Sequence, residues 1–308
     1  MTHDCVSYVK ELFSDQEEAD TRLILHTKYC SNHGINTVVV VSPDTDVLVL
    51  LVHHFNSLGL EKLYFKTGRR QLHCNTTRFV PVHNIVKMLS VEQRNIMLTV
   101  YCLTGCDSCS AFYGIGKKTA FKVMMSNAAD LQTIADLGNT PFLCANARRG
   151  CTNFVGLLYG SKACISLDVL RKDKVLSNKH VRPRMLPPTD DSFVLHLMSC
   201  LYQLLVWKGC LTDMQKLPDP VGYGYRTDSA SGILIPQMMS QPAAVPELLS
   251  DLVCVCSDQC VASYNCSSNE QPCTQACACQ GKVQGDDSVL CNNIFTVLAS
   301  VTGDISSE

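Results

Sequence analysis

The longest apolar stretch of the chain, residues 37–55, is interrupted at its centre by Ser42-Pro43-Asp44-Thr45-Asp46. The interruption leaves no run of about 18 apolar residues to cross a bilayer, so no membrane association is expected. It also leaves a short β-branched run, Val38-Val39-Val40-Val41, an acidic turn, and a helix-forming run over 47–56. That is the order of a strand feeding a helix. Because the valine run is apolar throughout, it suits a parallel strand buried on both faces.

Residues 14–145 continue this alternation. Ser14 with Glu17 three residues on is a capping-box signature, and Ala19, Leu23 and Thr27 recur at fourfold spacing, predicting a helix over 15–30. A second strand is expected over 63–66, with helices over 82–89, 92–103 and 117–126. Small and turn-forming residues fill 105–116. The expected class is α/β, and 308 residues suggest about two domains. Signals weaken after residue 150. Pro187-Pro188-Thr189 reads as a helix start before an amphipathic run over 192–208 that carries the only tryptophan, Trp207. Pro218, Pro220, Gly222, Gly224, Pro236, Pro242 and Pro246 then mark a connector, and no internal repeat is present.

Four acids stand where an α/β fold can bring them together: Glu18 and Asp20 on the first turns of a helix, Asp44 and Asp46 beyond a strand end, where open parallel sheets bind ligands. Asp107, at a turn, is a fifth. Crowded carboxylates repel one another unless hard cations neutralise them, and Mg²⁺ prefers oxygen ligands. Two such ions can support in-line phosphodiester hydrolysis. Each acid alone also has a structural account. Glu17, Glu18 and Asp20 suit a helix N-terminus, and Asp44 or Asp46 can cap the following helix.

Their order along the chain adds a resemblance. Glu18-Ala19-Asp20, then Asp44-Thr45-Asp46 after a strand, then Gly105-Cys106-Asp107, then Gly114-Ile115-Gly116-Lys117-Lys118-Thr119-Ala120 is similar to the internal region of the flap endonuclease/XPG family of PIN-like nucleases. That family shows E-A-E, D-x-D, G-S-D and a G-I-G-x-K-x-A hairpin. The resemblance spans residues 15–140. It implies a partial PIN-like domain over 1–145, a parallel sheet flanked by helices, with a helix-hairpin-helix at 105–126. It further implies Mg²⁺ or Mn²⁺ held by Glu18, Asp20, Asp44, Asp46 and Asp107, with Asp20 a shorter ligand than the family's second Glu. DNA would be gripped by Gly114, Gly116, Lys117, Lys118 and Lys122, the glycines allowing close approach of backbone N–H groups to a phosphate. A helix connector without ligand is the plain alternative. Family members also carry a first strand with a metal-binding Asp, whereas seventeen residues precede Glu18 here. The expected sheet therefore exposes apolar edges and the site is short of ligands, as in a fragment or an inactive relic.

A rival reading compares Asp44-Thr45-Asp46 with the D-x-D of haloacid-dehalogenase-type phosphatases. There the first Asp directly follows the strand; here Ser42 and Pro43 intervene, and Asp190-Asp191 follows two prolines.

The 19 cysteines divide unevenly. Eleven in residues 1–253 read mostly as small buried hydrophobes, and eight fall within 254–291. Met1-Thr2-His3-Asp4-Cys5 has no secretory signal character, so a reducing nuclear or cytoplasmic compartment is expected and clustered thiols point to zinc. Cys254, Cys256, Cys260 and Cys266, followed by Cys273, Cys277, Cys279 and Cys291, resemble a tesmin-like CXC motif, with Ser268 where another Cys would stand. Thiolates there would bind Zn²⁺ and order a polar segment. Family CXC modules contact DNA with bases and a tyrosine, here Tyr264. Residues 254–308, however, hold only Lys282 against six acids, which makes a protein-contact module equally suitable. Nine Lys/Arg against Asp168 and Asp173 over 148–184 form a basic stripe that suits either a phosphate backbone or plain solvation.

The expected organisation is a partial nuclease-like domain over 1–145, a helical and Pro/Gly-rich connector over 146–250, a Cys-rich module over 251–295 and a tail over 296–308. As a whole it looks like a group of animal proteins associated with mobile elements. The expected activity is metal-dependent hydrolysis of DNA. The alternative is a non-catalytic remnant that binds nucleic acid or protein and keeps a zinc-stabilised tail.

Overall fold

The computed structural model describes residues 8–68, 77–164, 166–177 and 182–241, together with residues 254, 255, 273, 277 and 278. The chain divides into two compact units, Met1–Ile165 with Val194–Gln237, and Ser166–Phe193 with Met238–Glu308. The first unit contains α1 (Ala19–Asn32), β1 (Thr37–Val41), α2 (Thr45–Leu58), β2 (Lys62–Thr67), β3 (Arg78–Pro81), α3 (Val82–Met88), α4 (Val91–Leu103), α5 (Lys117–Asn127) and α6 (Ala145–Leu158). The second contains α7 (Leu167–Ser177). Of α8 (Asp190–Lys208), the residues from Val194 onward belong to the first unit, as does a small hairpin of β4 (Tyr225–Thr227) and β5 (Leu234–Pro236). The class is mixed α/β. Among the described residues no helix is long and apolar enough to cross a membrane.

The main sheet has the order β1-β2-β3. β1 runs parallel to β2, with Val38 opposite Leu63 and Val40 opposite Phe65. β3 runs antiparallel to β2, which departs from the expected all-parallel sheet. The ten residues 68–77 between them explain the departure, because a parallel return needs a crossover of about a dozen residues or more. A second correction concerns β1. Its alternate residues Val39 and Val41 are 46% and 64% exposed, so only one face of this edge strand is covered among the described residues. An uninterrupted apolar run does not reveal which of its alternating sides meets a helix.

The helices that carry the core end as their sequences dictate. Asp44 caps α2 by accepting the Asp46 N–H at 2.9 Å, and Gly59, at φ +72°, closes its other end in the left-handed region. Ser90 and Gln93 form a capping box on α4. Every residue of α4 from Ile96 to Leu103 is buried, so this helix is surrounded and forms the centre of the unit. α1 begins four residues later than its apparent capping box. Ser14 Oγ accepts the Gln16 N–H instead, and the backbone N–H of Asp15 donates to Asp213 O. The Gln16 amide reaches the carbonyls of Cys210 and Thr212, holding this segment extended.

Truncating the fully buried Leu98 to Ala should cost about 2–5 kcal/mol, through lost burial and a residual cavity. Val41→Thr, on the open face of β1, should stay within about 0.5 kcal/mol of the natural chain. Chemical denaturation of the two variants checks the contrast between the buried α4 and the open face of β1.

Candidate functional site

The first unit holds a pocket of about 310 Å³ lined by Glu18, Asp20, Asp44, Asp46, Asp107, Cys106, Ser108, Gln203 and Trp207 among others. All five acids singled out by their order therefore meet at one place. Glu18 is the N-cap residue of α1 and Asp20 lies in that helix's first turn. Asp44 and Asp46 stand between β1 and α2, and Asp107 is exposed on the loop after α4. Carboxylate oxygens of Asp20, Asp44 and Asp46 lie within 4.8 Å of one another.

The electrostatics follow from this crowding. Burial, then the charges of Asp44, Asp46, Glu18 and Asp107, push the Asp20 carboxyl from 3.8 up to about 6. Burial also raises Glu18 and Asp46, against hydrogen bonds that favour their ionised forms. Glu18 does not cap its own helix. Its Oε1 accepts from Gln203 Nε2 at 2.8 Å and its Oε2 from Trp207 Nε1 at 3.1 Å. Asp46 Oδ1 accepts from the Tyr101 hydroxyl at 2.5 Å, which in turn accepts from Thr45 Oγ1 at 2.8 Å. Burial and this bond to Asp46 hold the Tyr101 hydroxyl protonated.

Gln203 and Trp207 went unread in the sequence, although their spacing of four puts them on one face of a helix. Ser108 also belongs here, its hydroxyl donating to Gln203 Oε1 at 2.5 Å. The residue chain Ser108–Gln203–Glu18 thus links the loop after α4, α8 and the start of α1.

The glycine hairpin is present. Gly114 has φ +75°, and Gly116 is the N-cap residue of α5 with space beside it for a close approach. Lys118 and Lys122 are exposed. Lys117 points elsewhere. Its ammonium donates to the carbonyls of Tyr101 and Gly105, lies 3.3 Å from Thr104 Oγ1, and stacks 3.6 Å over the Tyr101 ring. It satisfies carbonyls left open at the end of α4. The basic stripe is divided between the units, with Arg148 and Arg149 on α6 and Arg171, Lys172 and Lys174 on α7.

Two thiol groups in the described residues can hold a metal ion, Cys102–Cys106–Cys109 and Cys254–Cys273–Cys277. In the second, Cys254 and Cys273 sulfurs are 3.4 Å apart. Cys256, Cys260, Cys266, Cys279 and Cys291, with Ser268, Tyr264 and Lys282, lie outside the described residues. The first group was not singled out in the sequence, yet its C-x₃-C-x₂-C spacing is of the zinc-ligand type. Asp190 and Asp191, the later acid pair weighed in the phosphatase comparison, serve the second unit. Asp190 accepts from Ser166 Oγ and Leu167 N, and Asp191 from the N–H groups of Ser240 and Gln241.

Neither a protein-family model, nor a curated protein, nor a solved structure matches the chain. The site is therefore characterised by its own geometry.

The raised Asp20 pKa sets a direction for stability. Between pH 3.8 and about 6 the folded chain keeps a proton that the unfolded chain has released. Stability contributed by this group is thus present below that window and lost as pH rises through it. Asp20→Asn should raise Tm above pH 6 without divalent ions and leave it unchanged near pH 3.5. Thermal melts across this range check the sign.

Proposed function

We propose that this chain is a PIN-like, divalent-cation-dependent nuclease domain acting on DNA. The observation that supports this reading is the convergence of Glu18, Asp20, Asp44, Asp46 and Asp107 on one pocket from three separate segments. An all-oxygen donor set of mutually repelling carboxylates fits Mg²⁺ or Mn²⁺. Asp20, Asp44 and Asp46 would hold the ion, with Asp107 at the pocket's open side. When bound, such ions supply Lewis-acid polarisation of a phosphoryl oxygen and activation of water.

The remaining residues orient the donors. Gln203 and Trp207 fix both oxygens of Glu18, and Tyr101 fixes Asp46, so these carboxylates are set before any ligand arrives. The exposed Lys118 and Lys122 beside the glycine turn suit a phosphate backbone without base readout. Lys117, committed to carbonyls, positions that turn and is removed from the contact set.

The occupied oxygens of Glu18 and Asp46 favour a second reading, a non-catalytic remnant in which these acids serve as internal acceptors. Flap, nicked and single-stranded DNA incubated with the purified chain and Mn²⁺ separates the two. The nuclease reading expects cleavage that Asp107→Asn or Asp20→Asn abolishes without lowering Tm. Asp44→Ala is less clean because it also removes the cap of α2. DNA binding without cleavage favours the remnant, and neither binding nor cleavage discards nucleic acid as the partner.

A further inference from the structure

We propose that Cys102, Cys106, Cys109 and Cys200 form a structural zinc site that ties the loop after α4 to α8. This is separate from the thiol-rich tail and does not depend on the nuclease reading. The Cys102 and Cys109 sulfurs are 3.8 Å apart, and those of Cys102, Cys106 and Cys109 all lie within 4.8 Å of one another. Zn–S bonds of about 2.3 Å in a tetrahedron place sulfurs about 3.8 Å from each other. Three corners of such a tetrahedron are already at hand.

The fourth corner comes from α8. Cys200 of α8 stands beside the triad rather than within its 4.8 Å set, and the two helices meet closely enough for each thiol to reach the other residue's carbonyl, Cys102 Sγ to Cys200 O at 3.7 Å and Cys200 Sγ to Cys102 O at 3.9 Å. His196, one turn before Cys200 on α8, is a further metal-ligating side chain, and its Nε2 lies 3.5 Å from the Cys200 sulfur. Its Nε2 must donate to the Leu103 carbonyl at 3.0 Å, and its Nδ1 then accepts from Ser110 Oγ at 3.0 Å. Both nitrogens are occupied, which leaves the thiols as the donor set.

The local backbone is shaped for this role. Cys106 and Cys109 exchange backbone hydrogen bonds of 3.1 and 3.2 Å, closing a tight C-x-x-C turn. Gly105, at φ +100°, precedes it, and a side chain there would meet Ala111 Cβ at 2.7 Å. Zinc with four thiolates carries a net charge of −2. The Lys117 ammonium, held on the carbonyls of Tyr101 and Gly105 next to two of the ligands, supplies a compensating charge. Four thiolates fill the tetrahedron, so the ion is structural and offers no open position for chemistry.

Ordinary burial explains the cluster less well. Cysteines used as small hydrophobes pack against aliphatic and aromatic groups, whereas Cys102, Cys106 and Cys109 converge sulfur on sulfur from a helix and the turn that follows it. All four are free thiols, and 3.8 Å is far beyond a covalent S–S distance of about 2.05 Å.

Zinc content of the full natural chain, purified anaerobically, is the first measurement. Cys109→Ser and Cys200→Ser should each lower it by one equivalent while the tail's share persists. The second measurement uses the unmutated chain, which removes any question of variant folding. Chelation with a strong zinc chelator should make Cys102, Cys106, Cys109 and Cys200 alkylatable together in mass spectrometry, while Cys151, as buried as Cys102 and Cys200 but outside the cluster, stays protected. Unchanged zinc content in both variants overturns the proposal. So does alkylation of the four that is indifferent to the chelator, or a Cys102–Cys109 disulfide forming in zinc-saturated protein. No DNA substrate enters either measurement, so failure of the nuclease reading leaves this result intact.

Discussion

The contact between α4 and the later part of α8 is the constraint from which the pocket hangs. α4 is buried on every side over its last two turns, and α8 meets it through Cys200, His196 and Trp207. From that contact α8 extends Gln203 and Trp207 to Glu18, and Lys208 to the carbonyls of Ala135 and Leu137. A helix some 170 residues downstream of the pocket's first acid thereby sets that acid's orientation. Loss of the contact would free the N-terminal segment and the loop bearing Asp107 together, since Ser108 and Glu18 share Gln203 as their partner.

The acids were legible in the sequence because their positions follow from local rules. A strand-turn-helix places Asp44 and Asp46 beyond a strand end, and a helix start places Glu18 and Asp20 in its first turn. What closes the pocket was not legible, because Gln203, Trp207 and Tyr101 act through long-range hydrogen bonds that leave no local pattern. α6 falls within the expected helical connector, but its bounds were illegible for a different reason. It contains Gly150 and Gly156, which read as weak helix formers. In the structure these glycines lie so close to Thr133 and Cys164 that any Cβ would overlap them. Packing overrides propensity there.

The cysteines show the converse failure. Read singly among apolar neighbours, Cys102, Cys109 and Cys200 pass as core residues, and each is indeed buried. Burial alone does not separate a packed thiol from a ligand; mutual proximity does, and the proposed fourth ligand, Cys200, comes near the others only after the chain has run through α5, α6 and α7. The C-x₃-C-x₂-C spacing of Cys102, Cys106 and Cys109 is visible in the sequence, but its apolar surroundings equally suit core thiols.

One short turn, Cys106-Asp107-Ser108-Cys109, borders two donor sets of opposite character. Its carboxylate lines a pocket of hard oxygen donors, and its thiols join a cluster of soft sulfur donors. Carboxylate oxygens suit Mg²⁺ and Mn²⁺, whereas thiolates select zinc. Neighbouring ions would then be kept apart by ligand softness even though Cys106 touches both places. The division also has a mechanical consequence. With zinc bound as proposed, a closed thiolate site would hold its turn without exchanging ligands, beside an oxygen pocket whose Asp107 is exposed to solvent. Under the proposed reading, rigid support next to an accessible acid cluster would let mutually repelling carboxylates remain in place until a cation neutralised them.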